Sequence, residues 1–189
     1  MSMLSVSTSH RLEVKGPDAK TFIDSLISNS LDDSKIQFSY LLGPDGKVHY
    51  WFIFNSENEN IYIYQELETL QELKQNFEKF KIRIKCEILL NEYETYLKIT
   101  TNNNDIVIST IDPVQEKLTW TELALKLEIP TKKIINQGIL PNEVIWLEQF
   151  VDYYKGCFLG QEQTSRVKFR GRPRRVLITK NNSQEFKKI

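Results

Sequence analysis

Only two cysteines occur in the 189 residues, Cys86 and Cys157, and neither sits in a CxxC or a Cys/His spacing. A disulfide framework and a structural metal site are therefore not expected, and a reducing cytoplasm fits. Glycine and proline are also sparse, at 7 and 6 residues, which excludes fibrous and low-complexity classes. Long apolar runs are missing too. The longest, Tyr50 to Phe54, is far too short to cross a bilayer, and the amino-terminal MSMLSVSTSHRLEV lacks the layout of a signal peptide. No membrane partner is expected. Charge of one sign is absent overall, because 25 bases balance 25 acids, so a surface that coats nucleic acid throughout is excluded. The balance is uneven, however: Arg166, Lys168, Arg170, Arg172, Arg174 and Arg175 fall within ten residues, leaving 19 bases against 25 acids elsewhere.

What is present is the composition of a folded domain, 40% hydrophobic and 11% aromatic, with length for one substantial core. Arg11 to Val14 has strand character and runs into Gly16-Pro17-Asp18, a helix start. Phe22, Ile23, Leu26 and Ile27 then share a helical face. Phe38 to Leu42 and Lys47 to Phe54 flank the turn Gly43-Pro44-Asp45-Gly46, and Ile61 to Tyr64 returns as a third strand after Asn55 to Asn60. Leu67, Leu70, Leu73, Phe77 and Phe80 step as a helix. Ile82, Ile84, Cys86 and Ile88 alternate with charged residues, which predicts a strand with Cys86 facing the core. A hairpin is expected from Tyr93 to Thr100 and Ile106 to Ile111 around Asn102 to Asp105, and Thr119 to Glu122 fits a capping box. Hairpins with intervening helices predict an α+β fold with antiparallel sheets. The tail from Asn181 to Ile189 reads as polar and flexible.

The chemistry concentrates between Lys155 and Arg175, KGCFLGQEQTSRVKFRGRPRR. Lys155-Gly156-Cys157 sets an ammonium two residues from a thiol, and a nearby cation favours thiolate. A reactive Cys157 and a small thiol buried at a glycine turn both satisfy these three residues. Gly160-Gln161-Glu162 can open a helix whose N–H groups and carboxylate bind the edge of a heterocycle, or whose Glu162 simply complements the helix dipole. Arg166, Lys168, Arg170, Arg172 and Arg174 alternate with Val167, Phe169 and Gly171. On an extended edge segment that alternation makes one basic face able to grip phosphates or carboxylates.

At these residues the chain resembles the YgfZ-type folate-binding proteins, relatives of the glycine-cleavage T-protein. Lys155, Gly156, Cys157, Phe158, Gly160, Gln161 and Glu162 fall on that family's KGC(Y/F)xGQE signature, and Arg166, Phe169, Arg170 and Gly171 on its downstream element. RLEVKGPDAKTFIDSLI, LLGPDGKV, KLEIP and LPNEVIWL resemble weaker family elements, so the likeness covers most of the chain. It implies two related antiparallel-sheet-plus-helix subdomains around a central folate-binding opening. Their bounds are expected at about residues 1–80 and 81–175, followed by a final strand and tail in 176–189. The ligand implied is tetrahydrofolate or a derivative, with Cys157 and Lys155 as the reactive pair and Gly156, Gly160, Gln161, Glu162, Arg166 and Arg170 at the folate. The implied role is support of iron-sulfur cluster assembly or repair in client proteins, including those that modify tRNA. Whether there is turnover stays open, since an aminomethyltransferase-like one-carbon transferase and an RNA-binding module using the basic strip are alternatives. Two departures from the family stand out: a carboxy-terminal β-barrel does not follow Val176 to Thr179, and Ser28-Asn29-Ser30 replaces a threonine-asparagine-aspartate.

Overall fold

Six antiparallel strands form one sheet in the computed structural model, which describes residues 2–102 and 105–189. The longest are β1 (Ser2–Lys15) and β5 (Glu87–Thr101), which pair along their whole length, from Ser2 opposite Thr101 to Lys15 opposite Glu87. Between them in sequence come helix α1 (Ala19–Leu26), strands β2 (Ile36–Leu42), β3 (Val48–Glu57) and β4 (Asn60–Tyr64), and helix α2 (Leu67–Phe80). With β6 (Ile106–Thr110) the strand order β1-β4-β3-β2-β6-β5 closes on itself. The fold is α+β, as the alternation of hairpins and helices predicts. The first eighty residues supply four of these strands and later residues the other two, all within one sheet.

The aromatic run in β3 follows from burial on both faces. Trp51 and Ile53 point into one core with Phe38, Tyr40 and Phe150, while Phe52 and Phe54 point into another with α1 and α2. Successive strand residues alternate faces, so a continuous apolar stretch is what a doubly covered strand requires. The second cover comes from α3 (Trp120–Lys126), α4 (Lys132–Ile135), a 3-10 turn at Pro141–Glu143 and α5 (Leu147–Phe150). The capping box at α3 is present: the Glu122 N–H donates to Thr119 Oγ1 at 3.1 Å, and the Thr119 N–H to Glu122 Oε2 at 2.8 Å.

Three expectations are corrected. Residues 82–86 are not a strand: β5 begins at Glu87, Ile82 is 75% exposed, and Cys86 is half-buried against the core around Leu12. Arg83 there takes a positive φ of 61°, which breaks the alternating geometry. Second, the basic segment is helical through Arg170 in α6 (Gln161–Arg170), so its bases cannot share one extended face. Third, the polar tail is not flexible coil. Strand β8 (Ser183–Lys188) pairs with β7 (Arg175–Lys180) across Asn181 and Asn182, whose φ values of 49° and 56° make a primed hairpin turn. Within the β5–β6 turn, Asn103 and Asn104 lie outside the described residues, and Asn102 and Asp105 bracket it with an N–H to carbonyl bond of 3.0 Å.

Candidate functional site

The segment from Lys155 to Gly160 crosses the end of α1 and the β2–β3 turn. Lys155, whose side chain is only 4% exposed, donates to the carbonyls of Asp24, Ile27 and Asn29 at 2.7, 3.2 and 2.9 Å and pairs with Asp24 Oδ1 at 2.8 Å. A cation at a helix C-terminus satisfies the carbonyls left over there. Burial pulls its pKa below the usual lysine range, and Asp24 opposes that shift. All three ammonium protons are thus used on the scaffold, so Lys155 acts as a clamp holding the segment to α1 rather than as a free charge beside Cys157.

Cys157 is exposed, which removes the buried-thiol alternative. A Cβ at Gly156 would meet nothing within 4 Å, so that glycine borders open space. Gly160 is the opposite. It holds φ +79° ahead of α6, and a Cβ there would lie 2.4 Å from the Gly43 carbonyl and 2.9 Å from Leu42. Gly46, at φ +75°, would in turn meet Gln163 at 2.7 Å. The β2–β3 turn and the start of α6 touch through glycines on both sides.

α6 begins where the sequence places it. Gln161 is committed locally, its Oε1 accepting from the Phe158 N–H at 3.3 Å, and buried Thr164 donates to the Gln161 carbonyl at 3.0 Å. Glu162 pairs with Arg166 one turn on at 2.8 Å, with both side chains well exposed. Arg170, a further turn along, shares that face by helical spacing, while Lys168 turns the other way onto Glu148. Arg175 ion-pairs with buried Glu143 at 2.7 Å. Among the described residues, Arg170, Arg172 and Arg174 have no acidic partner.

The Ser28-Asn29-Ser30 segment is structural as well. Buried Ser28 donates to the Phe150 carbonyl at 2.7 Å and accepts from the Tyr40 N–H at 2.9 Å, and Asn29 donates to the carbonyls of Phe38 and Gln149.

A different place has the shape of a ligand site. Between β3, α2, α3 and α4 lies a small, narrow cleft of about 100 Å³, walled by Tyr50, Trp51 and Trp120 and edged by Glu66, Glu72 and Lys132. The indole rings of Trp51 and Trp120 are 5.8 Å apart at 49°. Each is anchored through its Nε1, which donates to the Pro130 carbonyl at 2.9 Å and the Ser7 carbonyl at 3.1 Å respectively. Half-exposed Lys132 lies 3.0 Å from Glu72 and 3.3 Å from Glu68, and the hydrogen bond it donates to Glu72 raises its pKa. Burial, with Glu72 nearby, raises the Tyr50 phenol. None of the residues singled out between Lys155 and Arg170 lines this cleft. The turn that α6 packs on leads directly into it along β3, on the order of 17 Å from Gly46 to Trp51.

Periodicity alone assigns these aromatics to the core, which is also true, so the cleft carries no signal in the sequence. The one hint is the strand residue His49-Tyr50-Trp51 set directly after a glycine turn.

No family model matches the chain, and no curated protein matches it. Among solved structures it is similar to the glycine cleavage system aminomethyltransferase T from Bartonella henselae, with a TM-score of 0.44 and 14% identity over 69% of this chain. The match covers 34% of that protein, so the chain spans about a third of its length. A likeness at that level carries no argument about this chain's chemistry.

Proposed function

We propose that the chain binds a reduced folate, with the heterocycle in the cleft beside Trp51 and Trp120, and works as an accessory protein to iron-sulfur enzymes in the cytoplasm. The observation that carries the folate reading is the convergence of aromatic walls, carboxylates and a lysine in one cleft. A reduced pterin is a flat ring system with an amino and amide edge that needs acceptors, and Glu66 or Glu72 supplies them. Half-exposed Lys132, 3.0 Å from Glu72, holds that carboxylate in place at the cleft's edge. The client role follows from the resemblance at Lys155 to Gly171, and Cys157 is the accessible thiol it would use. Gly156, Glu162, Arg166 and Arg170 then face the client or the folate tail rather than the heterocycle.

Titrating tetrahydrofolate while following tryptophan fluorescence tests the binding. Saturation is expected below about 1 mM, where binding is worth about 4 kcal/mol. Glu72→Gln should weaken it at least tenfold. No saturable change in the wild-type protein removes the folate reading.

The placement of Glu66 and Glu72 in the cleft favours a second reading, one-carbon transfer, which needs an acid at the folate. An assay for methylene transfer from an amine donor separates the two, since the accessory reading predicts binding without turnover. Arg170, Arg172 and Arg174, without an acidic partner among the described residues, keep an RNA contact testable on its own: steeply salt-dependent binding that folate leaves unchanged.

A further inference from the structure

β7 and β8 form a ribbon of two strands, and the turn between them fixes which backbone groups face inward. Asn181 and Asn182 both take left-handed φ, which makes Lys180 and Ser183 the first pair to exchange N–H and carbonyl groups. The alternation passes to Ile178 with Glu185 and to Val176 with Lys187. The Ile189 N–H, donating to the Arg174 carbonyl at 3.1 Å, continues it. The backbone groups of Gln184, Phe186 and Lys188 therefore point away from β7. Among the described residues no other strand pairs with β8, and no hydrogen bond takes up those outward N–H and carbonyl groups. The far side of the ribbon differs, because β7 runs beside the 3-10 turn and Arg175 is tied there to Glu143.

The side chains alternate in step with the backbone. Leu177 and Phe186 turn onto the core, with the Arg175 guanidinium 3.6 Å over the Phe186 ring. On that same face the Gln184 amide donates to the Ile129 carbonyl at 2.8 Å and accepts from the Thr131 N–H at 2.9 Å, which fastens the ribbon to the body. Glu185 and Lys187 stand on the opposite face, both exposed. Glu185 has Lys180 at 3.8 Å, and Lys187 has no ion-pair partner among the described residues.

From this geometry we infer that β8 is where two copies of this chain meet, edge to edge and antiparallel, about a two-fold axis at Phe186. An unpaired edge is a template for another strand, and a two-fold contact requires the edge to match itself. β8 does so in one register. With the axis at Phe186, the outward groups of Gln184 meet those of the partner's Lys188, and Phe186 meets the partner's Phe186, so the whole row is used. Glu185 then lies opposite the partner's Lys187, and Lys187 opposite the partner's Glu185. Moving the axis to Glu185 or to Lys187 also brings outward groups together, but it sets two glutamates or two lysines directly opposite, which is destabilising, whereas opposite charges and paired aromatics favour the match. None of the residues lining the aromatic cleft lies in β7 or β8, so this contact holds whether or not folate binds.

Sedimentation equilibrium of the full chain tests the contact. One strand pair is a small interface, so a monomer–dimer equilibrium is expected between about 10 µM and 1 mM. Glu185→Lys sets like charges opposite each other and should weaken the dimer at least tenfold, with folding checked by the melting curve. The double variant Glu185→Lys, Lys187→Glu exchanges the charges within one chain and should restore the dimer to near the wild-type constant, because in this register each position faces the other. Lys188→Pro removes an outward N–H that the β7 pairing does not use, and it too should weaken the dimer at least tenfold. A wild-type protein that stays monomeric up to about 1 mM overturns the proposal. So does a double variant as weak as Glu185→Lys, which would deny the register, or a Lys188→Pro protein that dimerises like wild type, which would deny the edge.

Discussion

Lys155 and Lys132 are both lysines held by carboxylates, and they do opposite things. Lys155 is buried, donates to three backbone carbonyls and Asp24, and has its pKa pulled down by burial. Lys132 is half-exposed at the edge of the aromatic cleft, held by Glu68 and Glu72, and has its pKa raised. The first cation is consumed in fastening a loop to a helix end. The second keeps a face toward open space. Lys132 also gives protons to carboxylates, but its side chain is 49% exposed against 4% for Lys155, and that exposure separates the clamp at Lys155 from the site at Lys132.

The comparison breaks first at the clamp's glycines. Gly160→Ala should cost about 3 kcal/mol in urea unfolding, because a left-handed backbone and a contact of 2.4 Å with the Gly43 carbonyl act together. Gly156→Ala, facing open space, should stay within about 0.5 kcal/mol of wild type. Equal effects at the two glycines would show that the segment is not held as described. Next, Lys155→Met should cost about 2 to 3 kcal/mol, since it leaves carbonyls and Asp24 without their donor. Lys132→Met should leave the urea midpoint nearly unchanged while weakening folate.

A third prediction concerns the core beneath the cleft. Tyr64, packed in the same core as Trp51, has its phenol pushed up to about 12, chiefly by burial, with Arg11 opposing. The unfolded chain loses that proton near pH 10 while the folded chain keeps it, so stability is whole below pH 10 and falls as pH rises toward 12. The loss from Tyr64 should reach about 2 to 3 kcal/mol in denaturant titrations at alkaline pH, and Tyr64→Phe should lessen the fall by that amount while fully buried Tyr40, whose phenol burial also raises, keeps a part of it. The smallest effect is kinetic. Exposed Cys157 should react with a thiol reagent at least tenfold faster than Cys86, whose thiol is half-buried and pushed up by desolvation.

Much of the architecture could be read from pattern. The GPDG turn, the α2 face at Leu70, Leu73 and Phe77, and the Thr119 capping box are local signals with local causes. What failed was set by contacts far along the chain. Arg166 to Arg170 alternate like a strand, yet Gly160 starts a helix that packs on the β2–β3 turn and turns Lys168 toward Glu148. The tail looked too polar to order, but Asn181 and Asn182 accept positive φ, and Phe186 packs against the core. For the site, the sequence marks Cys157 and Lys155 as neighbours and is silent on the carbonyls that claim the lysine. The cleft joins Trp51, Glu72, Trp120 and Lys132 from four separate elements, and no spacing in one chain announces that meeting.

Amide hydrogen exchange with and without tetrahydrofolate tests the central claim most directly. Ligand-induced protection is expected in residues 49–51, 66–72 and 120–136, with little change in 155–170. Protection confined to residues 155–170, or none anywhere at saturating folate, would contradict it.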